Sequence, residues 1–443
     1  MMSLSSDTIA AIATPPGEGA IAMVRISGPD ATAIIASIFR APGKAPSPRQ
    51  AVFGKIHDGE EILDQVLLTT YQSPASFTGE DMAEITCHGG ILLAARILET
   101  VLCSGARAAE AGEFSQRAFF NGKIDLTRAE AIMDIIRART APALRAAALQ
   151  LEGRLGQEIL ILRDAVLEVV AHIEAWIDFP EEGIDPATGR QLLAKIHAVL
   201  ERTERLLSTA DEGRVLREGI RVAIVGLPNA GKSSLLNRLL GMDRAIVSEV
   251  PGTTRDTIEE SACLRGILFR LTDTAGLRET SDPVEREGVA RSGRAMENAD
   301  LVLHIFDASV EAPPAPLNDR EILVANKSDL LSAASTNHLG AIAVSSLTGE
   351  GFDTLLDAMT NSTGAKHIVE GESLAAINAR HKALLESAAT ALRAAAELVQ
   401  TSAPPELAAV ELRTSLGALG RIVGATDTED ILGEIFGRFC IGK

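Results

Sequence analysis

Apolar positions along the chain follow two different periods. Between Thr8 and Ile26 an apolar run, a Pro15-Pro16-Gly17 turn and a second apolar run predict two strands joined by a tight loop. Leu63 to Thr70 add another strand-like run, and the stretch SFTGEDMAEITCHGG (Ser76 to Gly90) leads into an alanine- and leucine-rich helix, so the region up to about Cys87 reads as mixed α/β. From Leu126 the period changes. In LTRAEAIMDIIRART the apolar residues Ala129, Ile132 and Ile136 are separated by polar ones, and helical spacing persists to about Ala210. Asp178-Phe179-Pro180-Glu181-Glu182 interrupts it as a solvated acidic turn, with the next helix starting near Thr188. Helical character returns at Ser373 to Gln400 and again towards the C-terminus. There Thr426-x-x-Glu429 predicts a capping box, and Ile431, Leu432, Ile435, Phe436 and Phe439 line one side of a last helix.

Between the two helical blocks the pattern is one of short apolar runs. Val222 to Val225, the alternating Ile267, Phe269 and Leu271, Leu301 to Phe306, Ile322 to Ala325 and Ala341 to Val344 predict an α/β domain with a mainly parallel sheet. The simplest architecture is multidomain α+β and α/β. A mixed α/β N-terminal domain (1–122) is followed by a helical bundle (123–214 and 370–443) into which a P-loop, Ras-like domain (215–369) is inserted, which is easy because domain termini often lie close together.

The chemistry concentrates in that insert. Arg221 to Ser234 read RVAIVGLPNAGKSS, an apolar run ending in Gly226-x-x-x-x-Gly231-Lys232-Ser233, the pattern of a phosphate-binding loop. Its glycines let backbone N–H groups converge on phosphate, and the following helix N-terminus adds partial positive charge. Lys232 reaches the terminal phosphates and the Ser233 hydroxyl ligates Mg²⁺, with Ala230, Gly231 and Ser234 beside them. In Pro251-Gly252-Thr253-Thr254-Arg255-Asp256 a threonine pair stands where a GTPase switch needs a hydroxyl on the metal, a role assigned to Thr254. Asp273-Thr274-Ala275-Gly276 reads as the second switch, its aspartate holding the metal's water and Gly276 N–H sensing the γ-phosphate. Asn326-Lys327-Ser328-Asp329 selects guanine, because a carboxylate accepts from both the ring N–H and the exocyclic amine, whereas adenine would leave it unpaired. Ser345-Ser346-Leu347 reads as a base-contacting loop.

Leu277 stands where many small GTPases carry a water-orienting glutamine, and an aliphatic side chain cannot do that work. Acids follow at Glu279, Asp282, Glu285 and Glu287. Asn229 either helps ligate a monovalent cation beside the phosphates or stabilises the turn. In the N-terminal region Arg25 and Lys123 are candidates to grip an anionic ligand or else pair with nearby acids, and His88 serves a site or caps the helix after it.

Composition narrows the partners. With 443 residues and a formal charge of −18 the chain has no broad basic face for nucleic acid, so any RNA contact is local or shared. Cys87, Cys103, Cys263 and Cys440 lie far apart without metal-type spacing, which argues against disulfide or zinc frameworks and for a reduced cytosol. No signal-like start and no apolar run of bilayer length are present, so a soluble cytoplasmic protein without membrane contact is expected.

Over essentially its whole length the chain resembles the MnmE (TrmE) family of bacterial tRNA-modification GTPases. The segments that carry the resemblance are ATPPGEGAIAMVRISG, SFTGEDMAEITCHGG, GEFSQRAFFNGKIDL, IDFPEEGID, GLPNAGKSSLLN, PGTTRD, DTAGLRE, NKSD and the tail FCIGK. The resemblance implies an N-terminal domain that dimerises and binds a 5-formyltetrahydrofolate-type ligand, and G domains that pair across a homodimer. It also implies a flavoprotein partner, MnmG, which brings FAD and forms a heterotetramer. Together they would install an aminomethyl or carboxymethylaminomethyl group at the five-position carbon of the wobble uridine of certain tRNAs, with tetrahydrofolate as one-carbon source. Carried over by motif, the folate contacts fall on Arg25, Glu84, Lys123 and Lys443. A potassium ion falls on Asn229 with Ser248, Val250 and Thr253, the water-orienting glutamate on Glu285, and the C-terminal cysteine of the modification chemistry on Cys440, which by itself reads as a small buried hydrophobe. Two departures stand out: the segment from Phe306 to Asn326 is short and proline-rich, and Ser346 replaces a common alanine. The rival class is a regulatory GTPase switch such as a ribosome-assembly factor, which the flanking segments disfavour.

Overall fold

The computed structural model describes residues 7–42, 47–178, 186–242, 259–273, 296–314, 320–331, 340–364, 377–425 and 429–443. The chain forms two compact units, one of residues 1–133 with 419–443 and the other of residues 134–418.

The first unit is built on a seven-stranded sheet in the order β3-β4-β5-β6-β2-β1-β7. Its strands are β1 (Ile9–Ile12), β2 (Ile21–Ser27), β3 (Phe39–Arg40), β4 (Ala51–Asp58), β5 (Glu61–Tyr71), β6 (Met82–His88) and β7 (Arg107–Ala108). All neighbours are antiparallel except β1 and β7. The β1–β2 connection covers residues 13–20 and is longer than the expected tight turn; consecutive prolines fix φ and lack the N–H that a short hairpin uses. Alternation puts Val24, Ile26, Leu68 and Ile85 on one face, packed under α1 (Ala31–Ile38) and α2 (Ile91–Cys103). Arg25 and Glu84 are register partners on the other face. His88 does not cap α2, whose N-cap is Gly90. Its ring Nδ1 meets Asp64 Oδ1 at 2.8 Å while its N–H donates to Asp64 Oδ2 at 2.9 Å.

Helices α3 (Glu113–Phe120) and α4 (Leu126–Arg137) receive the end of the chain. Leu126, Ala129 and Met133 pack against Leu432, Phe436 and Phe439 of the C-terminal helix (Glu429–Phe436) and the turn after it. The buried stripe of α4 therefore runs through Leu126 and Met133, while Ile136 is exposed, because the docked helix chooses the face. Thr426 of the expected capping box, and the side chain of Ile431, lie outside the described residues.

The second unit combines a helical bundle with an α/β sheet. The bundle contains α5 (Ala141–Leu151), α6 (Arg154–Asp178), α7 (Pro186–Ser208) and α8 (Ala210–Glu218). Leu155, Ile159, Leu162, Val166, Val169 and Ile173 give α6 one buried stripe at helical spacing. Proline at the first position of α7 fits the restart expected near Thr188; the acids Glu181 and Glu182 lie outside the described residues. The sheet has the order β13-β12-β11-β8-β10-β9. Its members are β8 (Ile220–Val225), β9 (Glu259–Leu264), β10 (Ile267–Asp273), β11 (Leu301–Asp307), β12 (Glu321–Asn326) and β13 (Ile342–Ala343). The pairs are parallel apart from β9, which runs antiparallel to β10. Strand β9 has no counterpart in the sequence reading, since EESACL begins with two acids and shows no apolar run. Helices α9 (Lys232–Gly241) and α10 (Phe352–Ser362) bury Leu235, Leu239, Leu355 and Met359 against the sheet. No helix is formed over residues 308–314. Two further helices, α11 (Ala379–Gln400) and α12 (Pro405–Val423), realise the helical pattern of the C-terminal third, α11 lying along α7.

The first unit carries a buried cation. Arg117 is 2% exposed, and its guanidinium donates to Asp7 Oδ1 at 2.8 Å, Glu113 Oε1 at 2.9 Å and Glu80 Oε2 at 3.2 Å. Burial would raise the Glu113 pKa, but N–H groups of Arg107, Glu110 and Arg117 outweigh it and hold the carboxyl below its ordinary value. Arg117→Ala is expected to cost the first unit about 1–3 kcal/mol, because it takes charge-assisted donors from Asp7, Glu80 and Glu113 while Arg107 still holds Asp7 and Glu113. A depressed folded-state pKa means that the Glu113 contribution is present above the ordinary glutamate range and is lost as pH falls through the lowered value. Denaturant titration of wild type and variant at neutral and acidic pH checks both; a neutral-pH difference below about 1 kcal/mol would show that the network is not holding the unit together.

Candidate functional site

Strand β8 lies between β10 and β11, so its carboxyl end is the point where the sheet's connections diverge, the usual ligand crevice of an open α/β sheet. The phosphate-type loop starts there. Asn229 has φ +65° and an exposed side chain, a left-handed backbone that asparagine tolerates, so the turn by itself accounts for this residue type. Ala230 is fully buried. Lys232 donates from Nζ to the carbonyls of Gly226 at 3.0 Å and Leu227 at 2.8 Å, drawing the ammonium back across the loop. Ser233 and Ser234 are exposed in the first turn of α9.

Asn326 joins three segments. Its Nδ2 donates to Ala230 O at 2.9 Å, and its Oδ1 accepts from Ser346 N at 3.2 Å and Ser346 Oγ at 3.0 Å. The hydroxyl at Ser346 thus adds a donor that the more common alanine lacks. Ser345, fully buried, donates to Asp329 Oδ1 at 2.6 Å and leaves that exposed carboxylate its second oxygen. Lys327 has φ +61° and pairs with Asp307. Burial opposes, while the Lys327 ammonium and the Ser309 hydroxyl and N–H favour, the charged form of Asp307, whose pKa is lowered. Leu347 is 81% exposed at the rim of this loop. Asp273 ends β10 beside Ile224 of β8, and only its strand position is described. Ser248, Val250, Thr253, Thr254, Thr274, Ala275, Gly276 and Glu285 all lie outside the described residues, as do Leu277, Glu279, Asp282 and Glu287.

In the first unit the expected anion-gripping residues meet in part. Arg25 donates from Nε and Nη2 to Glu84 Oε1 at 3.0 and 2.8 Å, and from Nη1 to the carbonyl of Gly442 at 3.2 Å. Its guanidinium lies 5.8 Å from the Phe77 ring centroid and 5.7 Å from that of Phe114, within cation–π range. The tail reaches Arg25 because Ile441 bridges to Ala111, and Gly442 approaches β1 so closely that a Cβ would sit 2.6 Å from the Ile12 carbonyl oxygen. Lys443 is half-buried; burial first, then the Arg25 charge, lower its pKa. Lys123 is set differently, its Nζ donating to the Pro74 carbonyl at 2.9 Å on the loop that also carries Phe77. Cys440 is exposed and free, not the buried hydrophobe its residue type suggests. Tyr71, which the sequence reading passed over, donates to Glu84 Oε2 at 3.0 Å; no sequence signal marks it, because the β5–β6 register sets this pairing. Among the described residues no helix is long and apolar enough to cross a membrane.

Comparison with known proteins covers both units. The family model described as the MnmE helical domain matches residues 126–440, and that described as the GTP-binding protein TrmE N-terminus matches residues 8–123. A tRNA modification GTPase MnmE of Akkermansia muciniphila is 49% identical over 443 residues, covering 98% of this chain and 99% of that protein. Those of Chloroflexus aurantiacus and Thermotoga maritima are 47% and 42% identical, each covering 99% of this chain and 100% of the relative. Among solved structures, the G domain of the T. maritima FeoB iron transporter is similar over 32% of this chain and 98% of that chain, with 27% identity and a TM-score of 0.24.

Gly231 tests how tightly the loop is set. It has φ +94°, and a Cβ there would collide with the Asn326 amide nitrogen that holds Ala230. Gly231→Ala should therefore strain the backbone by about 1–3 kcal/mol and break the Asn326–Ala230 bond. Faster hydrogen exchange in residues 226–234 together with a lowered unfolding midpoint is expected; wild-type exchange there would mean that the loop adapts without cost.

Proposed function

This chain belongs to the MnmE family of tRNA modification GTPases, and from that premise we propose that it hydrolyses GTP as part of modifying the wobble uridine of certain tRNAs. In this reading Lys232 and the loop N–H groups from Asn229 to Ser234 hold the phosphates, and Ser233 and Thr254 hold Mg²⁺, which neutralises charge between the β- and γ-phosphates. Asp329, oriented by Ser345, selects guanine, and Asn326 ties the base-reading segment to the phosphate loop. With Leu277 unable to orient water, that task goes to Glu285, and a potassium ion on Asn229, Ser248, Val250 and Thr253 supplies the charge an arginine finger would bring.

The second half of the function is assigned to Arg25, Glu84, Lys123 and Lys443. Their donor set, a carboxylate acceptor flanked by cations, fits a tetrahydrofolate such as 5-formyltetrahydrofolate, whose ring edge donates hydrogen bonds and whose tail is anionic. Bound there, the folate supplies the one-carbon unit, and the protein's part is to bind and orient it. Cys440 stands exposed on the same tail. The partner that completes the reaction is the flavoprotein MnmG with its FAD, acting on a homodimer of this chain in the cytoplasm. The single observation that carries the folate reading is the bond from Arg25 to the Gly442 carbonyl. It brings Arg25 beside the tail that carries Lys443, and the family resemblance assigns Arg25 and Lys443 to one ligand.

Hydrolysis is expected to require K⁺, with Na⁺ a poor substitute, and Asn229→Ala should remove most of that difference at a cost of about tenfold or more in kcat. Equal turnover in the two salts would sink the cation role. Deleting the last four residues should abolish the wobble modification, read by mass spectrometry of tRNA nucleosides from a complemented deletion strain, while purified truncated protein still hydrolyses GTP. Normal nucleosides from the truncated protein would make the tail structural.

A further inference from the structure

Glu84 is held at both of its oxygens, and by different strands. Oε1 accepts from Arg25 Nε and Nη2 at 3.0 and 2.8 Å, and Oε2 accepts from Tyr71 Oη at 3.0 Å. A carboxylate oxygen offers two lone pairs, so Oε1 is filled whereas Oε2 retains one acceptor position. The register of β5 on β6 pairs Thr69 with Glu84 and Tyr71 with Met82, which puts Tyr71 diagonally across from Glu84 on the same face of the sheet. Arg25 by itself grips one oxygen and leaves the carboxylate free to swing about its terminal bond; the phenolic donor on the other oxygen removes that freedom. The hydroxyl does so without adding charge, and it lies on the sheet rather than on a loop.

We propose that Tyr71 is a positioning residue of the ligand site around Arg25 and Glu84. By donating to Oε2 it fixes the plane of the carboxylate, so that the acceptor position left on Oε2 meets an N–H donor of the ligand ring. The chemistry that answers to such an acceptor is an amino-substituted heterocycle of the pteridine kind, and the inference rests on the folate reading above. Phenylalanine at this position keeps the ring and its packing and loses only the donor. The bond that this change removes is the one to Glu84 Oε2.

The test uses the full chain and 5-formyltetrahydrofolate by calorimetry. Tyr71→Phe should weaken binding about tenfold, the loss of one hydrogen bond to a charged acceptor, with the thermal unfolding midpoint unchanged. In a Glu84→Ala background, which leaves Tyr71 no acceptor there, the same change should add nothing, whereas a merely structural role would weaken both backgrounds alike. A second measurement needs no ligand. Tyr71 is the only tyrosine of the chain, so alkaline titration of tyrosinate absorbance reads this residue alone. Burial and then the Glu84 charge raise its pKa, with Arg25 and Arg49 opposing; removing the charge in Glu84→Gln should move the titration to lower pH. Wild-type protein that does not bind the folate would overturn the folate reading and the inference with it. Wild type that binds, with Tyr71→Phe equally tight or with tyrosine titration unmoved by Glu84→Gln, would overturn the role of Tyr71 alone.

Discussion

The first unit depends on an apolar contact between distant parts of the chain. Leu432, Phe436 and Phe439 bury themselves against Leu126, Ala129 and Met133, with Phe119 and Phe436 ring centroids 6.3 Å apart. Burying each such side chain is worth about 1.5–3 kcal/mol. Against this stands the entropy of closing the chain over residues 134–418, which rises only about 0.6 kcal/mol with each doubling of loop length. A folded unit of any size can therefore be inserted there at little further cost, provided the closing contact survives. The same contact delivers Gly442 to Arg25. Fold closure and site assembly thus rest on one patch of side chains, which is why the last residues of the chain stand beside residues of its second strand.

Each unit also answers the problem of buried charge locally. Arg117 is surrounded by Asp7, Glu80 and Glu113, and Asp300 in the other unit takes the guanidinium groups of Arg214 on α8 and Arg221 on β8. Burial disfavours the charged Asp300, yet its donors prevail and its pKa is lowered. Such clusters stabilise less than their Coulomb energies suggest, because desolvation offsets much of the attraction. What they provide is register: the Asp300 cluster fixes where α8 leaves off and β8 begins, immediately before the strand that carries the phosphate-type loop.

The second unit's loop architecture was legible in the sequence because its residues are contiguous. A strand, a glycine loop and a helix start suffice to read Gly226 to Ser233, and Asn326 to Asp329 form one turn, as the structure bears out in β8, α9 and the end of β12. The helical period from Leu126 and the strand at Leu63 to Thr70 were equally plain. What sequence did not disclose is set by pairing between segments. Register alone brings Tyr71 beside Glu84, and the role of Asp64 as the partner of His88 follows from the β5–β6 ladder. The exposed side of α4 at Ile136 was decided by a helix three hundred residues away in the chain, and β9 carries too few apolar positions to announce itself.

A common device recurs at the two sites. Asp329 and Glu84, the carboxylates to which the proposed function gives a ring edge, are each held at one oxygen by a neutral hydroxyl, Ser345 Oγ at 2.6 Å and Tyr71 Oη at 3.0 Å. A second cation in place of the hydroxyl would also fix the plane, but it would draw negative charge away from the ligand's N–H donors and weaken the bond it prepares. A hydroxyl leaves the charge in place and removes rotational freedom that binding would otherwise have to freeze, about 0.5–1.5 kcal/mol for a flexible side chain. The gain is modest beside the folding energy of either unit. On the proposed function it falls where discrimination would be decided, since a competing ring that presents an acceptor would meet a carboxylate that cannot turn away from it.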